Sequence, residues 1–329
     1  MKILFSADWH IKLGKRNIPD EWQRNRFLLM VDAINAIYKE HNCELHIIGG
    51  DILDVANPST DDLDLYFECI ARLTGDILLY SGNHEMLKNS QSCLTSLAAE
   101  TSRCNPYARV ITEPYRSKDF DIIDYTELHK KTWVPALSTI CFTHVRGAID
   151  PHVKPEISLN RFEEHGYNQV IAGDLHSVEC CQNTPNIPLL YPGSPFNTSF
   201  SREIPKSTHG VFIVDTDTGN TEWVELTGLP QLVRRTVDST DKIVADNFHR
   251  IVYELVGDVI ALGKVDNSEL LDKKINTGIS KDAKLPGLDG DIPNEVSAYC
   301  TAILGLSTDD TADLISELHN IVILDDYND

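Results

Sequence analysis

Five short polar segments, each at the end of an apolar run, constrain this chain more than any other feature. They are Asp8-Trp9-His10, Gly50-Asp51-Ile52-Leu53-Asp54, Gly82-Asn83-His84-Glu85, Thr143-His144 and Gly173-Asp174-Leu175-His176. The runs before them, at 2–7, 44–49, 76–81, 139–142 and 169–172, have the length and bounding residues of strands covered on both faces. Loops at the strand ends of such a sheet are where ligands bind. Oxygen and imidazole donors from separate strand ends suit hard or borderline divalent ions such as Mn2+ and Mg2+. Loops that only cap strands account for a single Asp or Asn, but not for the histidines at these places. The pattern points to a hydrolase.

Residues 1 to about 85 read strand–helix–strand–helix–strand. The 21–40 segment has apolar residues at 27, 28, 31, 34, 37 and 38, a helical period with one buried face. A second helix is expected at 61–73, with Ser59 or Thr60 as N-cap after Pro58. Right-handed crossovers then make the first three strands parallel neighbours. From about 105 to 228 the pattern changes to short strands, ending in a hairpin of 211–215 with 222–226 across Thr216-Asp217-Thr218-Gly219-Asn220. Two packed sheets with helices outside satisfy both halves.

The polar motifs stop after Gly228-Leu229-Pro230, so the chain is divided into 1–229 and an appended region 230–329. That region opens with an expected strand at 232–237 and a helical or mixed segment near 241–256. A poorly apolar stretch from Asn276 to Pro293 reads as a linker or mobile loop, followed by helices at 296–304 and 312–324 and an acidic end.

At 329 residues the chain is long enough for one large core plus a smaller unit. No stretch approaches the ~18 uninterrupted apolar residues of a membrane span. The first residues look superficially like a short signal sequence, but the apolar part runs straight into Asp8 and reads as the first core strand. Eight Cys without C-x-x-C spacing fit reduced thiols in a cytoplasmic protein. A formal charge of −21 argues against a broad basic face for nucleic acid. Residues after 230 hold nineteen Asp/Glu against nine Lys/Arg (9 − 19 = −10), a poor composition for the main DNA-gripping surface.

The order and spelling of the five segments resemble the calcineurin-like metallophosphoesterases, with D-x-H, G-D-x-x-D, G-N-H-[ED], a lone His, then G-H-x-H. The resemblance implies an α/β fold, a four-layer αββα sandwich with a smaller C-terminal α+β capping unit. It also implies two divalent ions, Mn2+ first and Mg2+ second. One takes Asp8, His10 and His176, the other Asn83, His144 and Asp174, and the Asp51 carboxylate bridges them. His84 lies over the reacting phosphate as the catalytic residue, and Asp54 orients a ligand from behind. This chain departs from the pattern at Asp174, where the family has the first His of G-H-x-H. A carboxylate there makes the site harder and more negative.

Protein phosphatases of this fold continue G-D-x-x-D with Arg-Gly, whereas this chain has Val55-Ala56-Asn57-Pro58-Ser59. That run resembles the nuclease branch typified by bacterial SbcD and the phage recombination endonuclease subunits. Leu13-Gly14-Lys15 after Asp8-Trp9-His10, and Tyr191-Pro192-Gly193-Ser194-Pro195 with Thr198-Ser199-Phe200, agree with it. The resemblance covers about 1–230. It implies a phage or bacterial DNA nuclease of recombination and repair, cutting at DNA ends or in single strands and working with an SbcC-like SMC-family ATPase. Homodimerisation stays open. Arg146, two residues after His144, is a candidate for meeting a phosphate. Two alternatives remain: a small-molecule phosphodiesterase or nucleotide phosphatase of the same fold, and a metal-free interaction scaffold. The chain's acidity favours the former; the latter conflicts with the number of ligand positions retained.

Overall fold

Alternation along the first strands decides the layers. In β1 (Lys2–Ser6) Ile3 and Phe5 face one way and Leu4 the other, and in β2 (Leu45–Gly49) Leu45 and Ile47 oppose Ile48. The same split recurs in β9 (Ile140–His144), where Ile140 and Phe142 oppose Cys141, and in β10 (Gln169–Gly173), where Ile171 opposes Val170. The first sets of residues form one cluster shared by two sheets, with the Phe5 and Phe142 rings 5.3 Å apart. The opposite faces pack against helices. The computed structural model describes residues 1–87, 91–149, 151–184, 186–202, 209–257, 262, 264–266, 268–275 and 292–325, without the side chains of 275, 292–293 and 317–325.

One six-stranded sheet has the order β14 (Thr221–Glu225), β13 (Gly210–Asp215), β1, β2, β3 (Asp76–Tyr80), β6 (Ala108–Val110). Its last four strands are parallel, and β13 and β14 form the expected antiparallel hairpin. The other has the order β11 (Gln182–Thr184), β12 (Ile187–Leu190), β10, β9, β8 (Asp121–Ile123), β7 (Tyr115–Arg116), again with four parallel strands inside two antiparallel edges. A short pair, β4 (Met86–Leu87) and β5 (Gln91–Ser92), comes after the third polar segment.

Three helices cover the first sheet: α1 (Asp20–Glu40), α2 (Thr60–Arg72) and α3 (Cys93–Cys104). Phe27, Met30, Val31, Ile34 and Ile37 form the buried stripe of α1. Ser59 is the N-cap of α2, in a reciprocal box with Asp62. Asp62 also accepts from Leu13 N–H at 2.7 Å and pairs with Lys12 at 2.9 Å, which fixes the loop after His10. Two short helices, α4 (Tyr125–Leu128) and α5 (Asn160–Glu164), place Leu128 and Phe162 on the second sheet. The layering is therefore helix, sheet, sheet, helix, the expected α/β sandwich.

The expected strand at 232–237 is β15 (Leu232–Val237), parallel to β16 (Arg250–Gly257) and completed by β17 (Leu271–Ile275) in a three-stranded sheet. The helical or mixed reading near 241–256 is corrected: only a single 3-10 turn, Thr240–Lys242, precedes the strand. Ile251, Tyr253 and Leu255 have the two-residue period of a strand, and they bury one face with Val233 and Leu271.

The chain divides into two compact units, Met1–Lys274 and Ile275–Asp329, so the motif boundary at 229/230 falls inside the first. The second unit contains helices Ile292–Ala302 and Thr308–Asp325, close to the expected pair. The expected linker lies almost wholly outside the described residues. No helix of the described residues is long and apolar enough to cross a membrane.

Candidate metal centre

Parallel strands end at the same edge of their sheet, so the loops after β1, β2 and β3 meet, and the end of β9 and the loop after β10 join them from the second sheet. The backbone turns sharply there. Asp8, His10, Asp51 and Asp174 all take left-handed φ, at 57°, 52°, 50° and 101°. Such conformations are costly for residues with a Cβ and collect at functional sites. Two hydrogen bonds lock the first two loops together, Asp8 N–H to Gly50 O at 3.1 Å and His10 N–H to Asp51 O at 2.9 Å. Gly82 and Gly173 permit the close approach. A Cβ on Gly82 would strike the Asp51 carboxylate, and one on Gly173 would sit 2.5 Å from Gly49 O and 2.7 Å from His144 Nδ1.

The structure brings all seven anticipated donor residues together. Asp8, His10 and His176 form one group whose ligand atoms lie within 4.8 Å of each other, and Asp8, Asp51 and His144 form another. His10 Nε2 and His176 Nε2 face each other at 3.0 Å. His10 turns its Nδ1 to the Asp54 carboxylate at 3.1 Å, and Asp54 also pairs with Lys15 at 3.2 Å. His176 Nδ1 lies 3.3 Å from the Thr198 hydroxyl. On the other side, His144 Nδ1–H donates to Gly49 O at 2.9 Å, which aims Nε2 at Asn83 (2.9 Å), Asp51 (3.4 Å) and Asp174 (3.8 Å). Asp51 stands between, with one oxygen toward His144 and the other 3.7 Å from His10 Nε2. Asp174 N–H donates to Asp8 Oδ1 at 2.9 Å.

His84 is exposed beside this group. Its Nδ1–H donates to Asp54 O at 2.7 Å, its ring meets His10 edge-on, and its Nε2 is 3.9 Å from Asp51. Arg146 is placed differently. Its backbone N–H donates to Glu156 at 3.2 Å, and its buried Nε has no hydrogen-bond partner among the described residues, although its charge acts on Asp174.

The electrostatics reflect burial and crowding. Burial pushes the Asp8 carboxyl well above the usual range and raises Asp174 as well. Burial pushes Asp51 the same way, but the His144 imidazole and its neighbours outweigh it and hold Asp51 below the usual range. Burial lowers His176 to about 4, leaving it a neutral donor. His144 is raised well above its ordinary value, because Asp51, Asp8 and Asp174 together outweigh the desolvation that opposes its charge.

Sequence reasoning gave Glu85 no role. It is fully buried and accepts backbone N–H bonds from Asp51 (3.0 Å), Leu53 (2.8 Å) and Gly82 (2.8 Å), tying the second and third loops into one rigid piece. Burial, then the Asp51 charge, raises it to about 7. The available signal was its position, directly after Asn83-His84.

The residues fit a divalent cation. Asp8 Oδ2 is buried without a hydrogen-bond partner, two imidazole nitrogens face each other, and Asn83 Oδ1 faces His144 Nε2. Turned the other way, the Asn83 amide donates to Asp51 at 3.1 Å and reaches His144 at 2.9 Å, so the fit to a cation rests on Asp8 and on the facing His10 and His176 nitrogens. Converging acceptors are what a cation needs and what a protein avoids without one.

A family model described as calcineurin-like phosphoesterase matches residues 1–178. The chain is 47% identical over 329 residues, the whole of both chains, to the probable exonuclease subunit 1 of Escherichia phage T5. Among solved structures it is similar to an archaeal phosphodiesterase, with 14% identity and a TM-score of 0.41 over 68% of this chain and 99% of that one. It is also similar to the Pseudomonas putida nuclease MPE, with 17% identity and a TM-score of 0.32 over 68% of this chain and 87% of that one. With its five strand-end segments gathered into one cluster that could hold a metal ion and more than half its length matched by the family model, the chain belongs to the calcineurin-like metallophosphoesterases.

Proposed function

We propose that this protein is a metal-dependent DNA nuclease that hydrolyses phosphodiester bonds at DNA ends or in single strands. One observation supports the reading: the Asp51 carboxylate turns one oxygen toward His144 and the other toward His10, while Asp8 lies within ligand reach of His10 and His176 and also of Asp51 and His144. The full-length likeness to a phage exonuclease subunit supports DNA as the substrate. Asp8, His10 and His176 would hold one ion, Asn83, His144 and Asp174 a second, and Asp51 both, with Mn2+ preferred and Mg2+ accepted by this donor set.

Two such ions supply positive charge to the phosphoryl oxygens and activate water at neutral pH. The chain's own groups do the rest. Asp54 and Thr198 hold the His10 and His176 rings from behind, fixing the direction of each donor nitrogen. Glu85 keeps Asp51, Asn83 and His84 in register. His84 spends its Nδ1–H on a carbonyl, so its exposed Nε2 is the atom left for proton transfer, and it is from the imidazolium form that it would give a proton to the leaving oxygen and return to the neutral ring. Arg146 reaches toward the Asp174 side, where its guanidinium meets a non-reacting phosphate oxygen.

The partner is an SMC-family ATPase of the SbcC type, a reading supported by the relative's name as one subunit. The region from 230 is proposed as its docking end: Ile303, Leu304 and Leu314 are exposed apolar residues on or beside its two helices. Truncation after residue 295 should leave Mn2+-dependent hydrolysis of a dye phosphodiester intact and abolish co-purification with the ATPase. Retention of the partner would reject the docking role. The nuclease reading is tested by incubating pure protein with Mn2+ and end-labelled DNA beside the dye substrate. Both should be turned over; hydrolysis of the dye alone, with and without the ATPase, would make the protein a small-molecule phosphodiesterase.

A further inference from the structure

We infer that the cationic rim of the three-stranded sheet, above the buried Glu254 and the half-buried Asp272, carries a phosphate-binding track, which holds the backbone of the DNA strand leading away from the metal centre. The inference rests on the proposed nuclease activity and adds the surface that such an activity needs for its substrate. In the β15–β16 register Thr236 lies opposite Glu254, so Arg234, Thr236 and Glu254 share one face while Val233, Ile251, Tyr253 and Leu255 bury the other. On the first of these faces Arg202, Arg234 and Lys274 cover the buried Glu254, at 3.6, 3.8 and 3.1 Å. Arg16 and Arg234 share Asp272, at 3.4 and 2.8 Å. Two carboxylates thus organise four cations, a local positive excess in a chain of net charge −21.

The cations remain available. The Arg16 and Arg202 side chains are 86% and 63% exposed. A cavity of about 450 Å3 opens at the sheet edge, lined by Arg202, Arg234, Arg235 and Lys242. Lys242 is paired with Asp238, but Arg235 has no carboxylate within ion-pair distance among the described residues. The half-buried Phe200 ring lies 5.8 Å from the Arg234 guanidinium, an aromatic surface beside a cationic groove of the kind that takes bases and backbone together.

Two stretches of chain run from this face straight to the metal centre. Thr198 bonds His176, and Arg202 comes four residues later, a reach of at most ~14 Å. Ser201 is fixed to β15 on the way, by its N–H to Leu232 O at 3.2 Å and its carbonyl to Arg234 N–H at 2.8 Å. On the second route Lys15 pairs with Asp54, which orients His10, and Arg16 is the next residue. Lys15, Arg16, Arg234 and Arg202 therefore form a continuous cationic path within a few nucleotides of the scissile position. Phosphate contacts of this kind position a strand without reading its sequence.

The test is fluorescence anisotropy of full-length Arg16→Glu/Arg202→Glu with an end-labelled, partly single-stranded duplex. EDTA prevents cleavage, and the measurement is repeated over a salt series. The double variant should bind at least ~10-fold more weakly, with a salt slope smaller by about 2, one per lost phosphate contact. Its Mn2+-dependent hydrolysis of a dye phosphodiester, which has no flanking strand, should match wild type. Should the charge reversals impair folding, Arg16→Ala/Arg202→Ala is read the same way. Wild-type affinity and slope in a folded variant would overturn the track and assign the face to an acidic protein partner. Absence of DNA affinity in the wild type would overturn it too. If the wild type binds DNA but cleaves only dye, the nuclease reading fails, and loss of binding in the variant still upholds the track.

Discussion

On one side of the Asp51 carboxylate, His10 and His176 bring their Nε2 atoms to 3.0 Å, with Asp8 within ligand reach. On the other, His144 has Asn83 at 2.9 Å but Asp174 only at 3.8 Å. The first side is rich in imidazole, and its rings are held from behind by Asp54 and Thr198. The second is rich in oxygen and depends on one amide orientation and on a His144 that favours its charged form. The neighbouring charges set the difference, since burial opposes the charge of both rings. His176 is desolvated among other imidazoles, which keeps it neutral, whereas His144 is desolvated among carboxylates, which keeps it charged. His144 would have to release a proton for a cation to bind beside it, and His176 would not.

The largest expected effect comes from removing what the sides share. Asp51→Asn should weaken both ions together and abolish activity, as read by calorimetric Mn2+ titration. Loss of one ion with the other unchanged would mean that Asp51 serves a single side. His84→Gln should keep both ions and slow cleavage by about 10²–10⁴-fold, the usual worth of a positioned acid–base group. A lost ion in that variant would make His84 a ligand of the first side.

A smaller effect, in pH, separates the sides most finely. His144 is held above its ordinary value, so it keeps its proton over a wider range and a cation must displace it. Affinity on that side should rise with pH, by about tenfold per unit per proton released, until the raised value is passed. His176, lowered to about 4, is already neutral above that pH and adds no slope on the first side between pH 6 and 8. Titrations across that range should show a steeper pH dependence on the His144 side, where Asp174 is raised too, than on the first, where the raised Asp8 supplies the slope. Equal slopes would erase the distinction.

The site was legible because its residues sit where alternation stops. A two-residue period ends at Ala7 or Gly49, and within a few positions the chain turns to Asp, His or Asn instead of another apolar residue. Less legible were features assembled from distant segments. Glu85 matters through backbone N–H groups of residues 51, 53 and 82, which no side-chain pattern announces. The acidic balance after 230 concealed the cationic face, because Arg16 and Arg202 reach it from other parts of the chain. β16 was read as helical or mixed although Ile251, Tyr253 and Leu255 alternate, because Val252, buried on the other face, fills the gap between them and makes an apolar run that a helix also shows.

The proposal of two unequal ion sites is tested most directly by Mn2+ titration of wild type and Asp174→Ala at pH 8, with activity measured on the same samples. The wild type should take up two ions with different affinities. Asp174→Ala should keep the tighter one, lose the weaker and become inactive, while Asp174→His should recover part of the activity with Mn2+. Full activity of Asp174→Ala at low Mn2+, or a single ion bound by the wild type, would contradict the account.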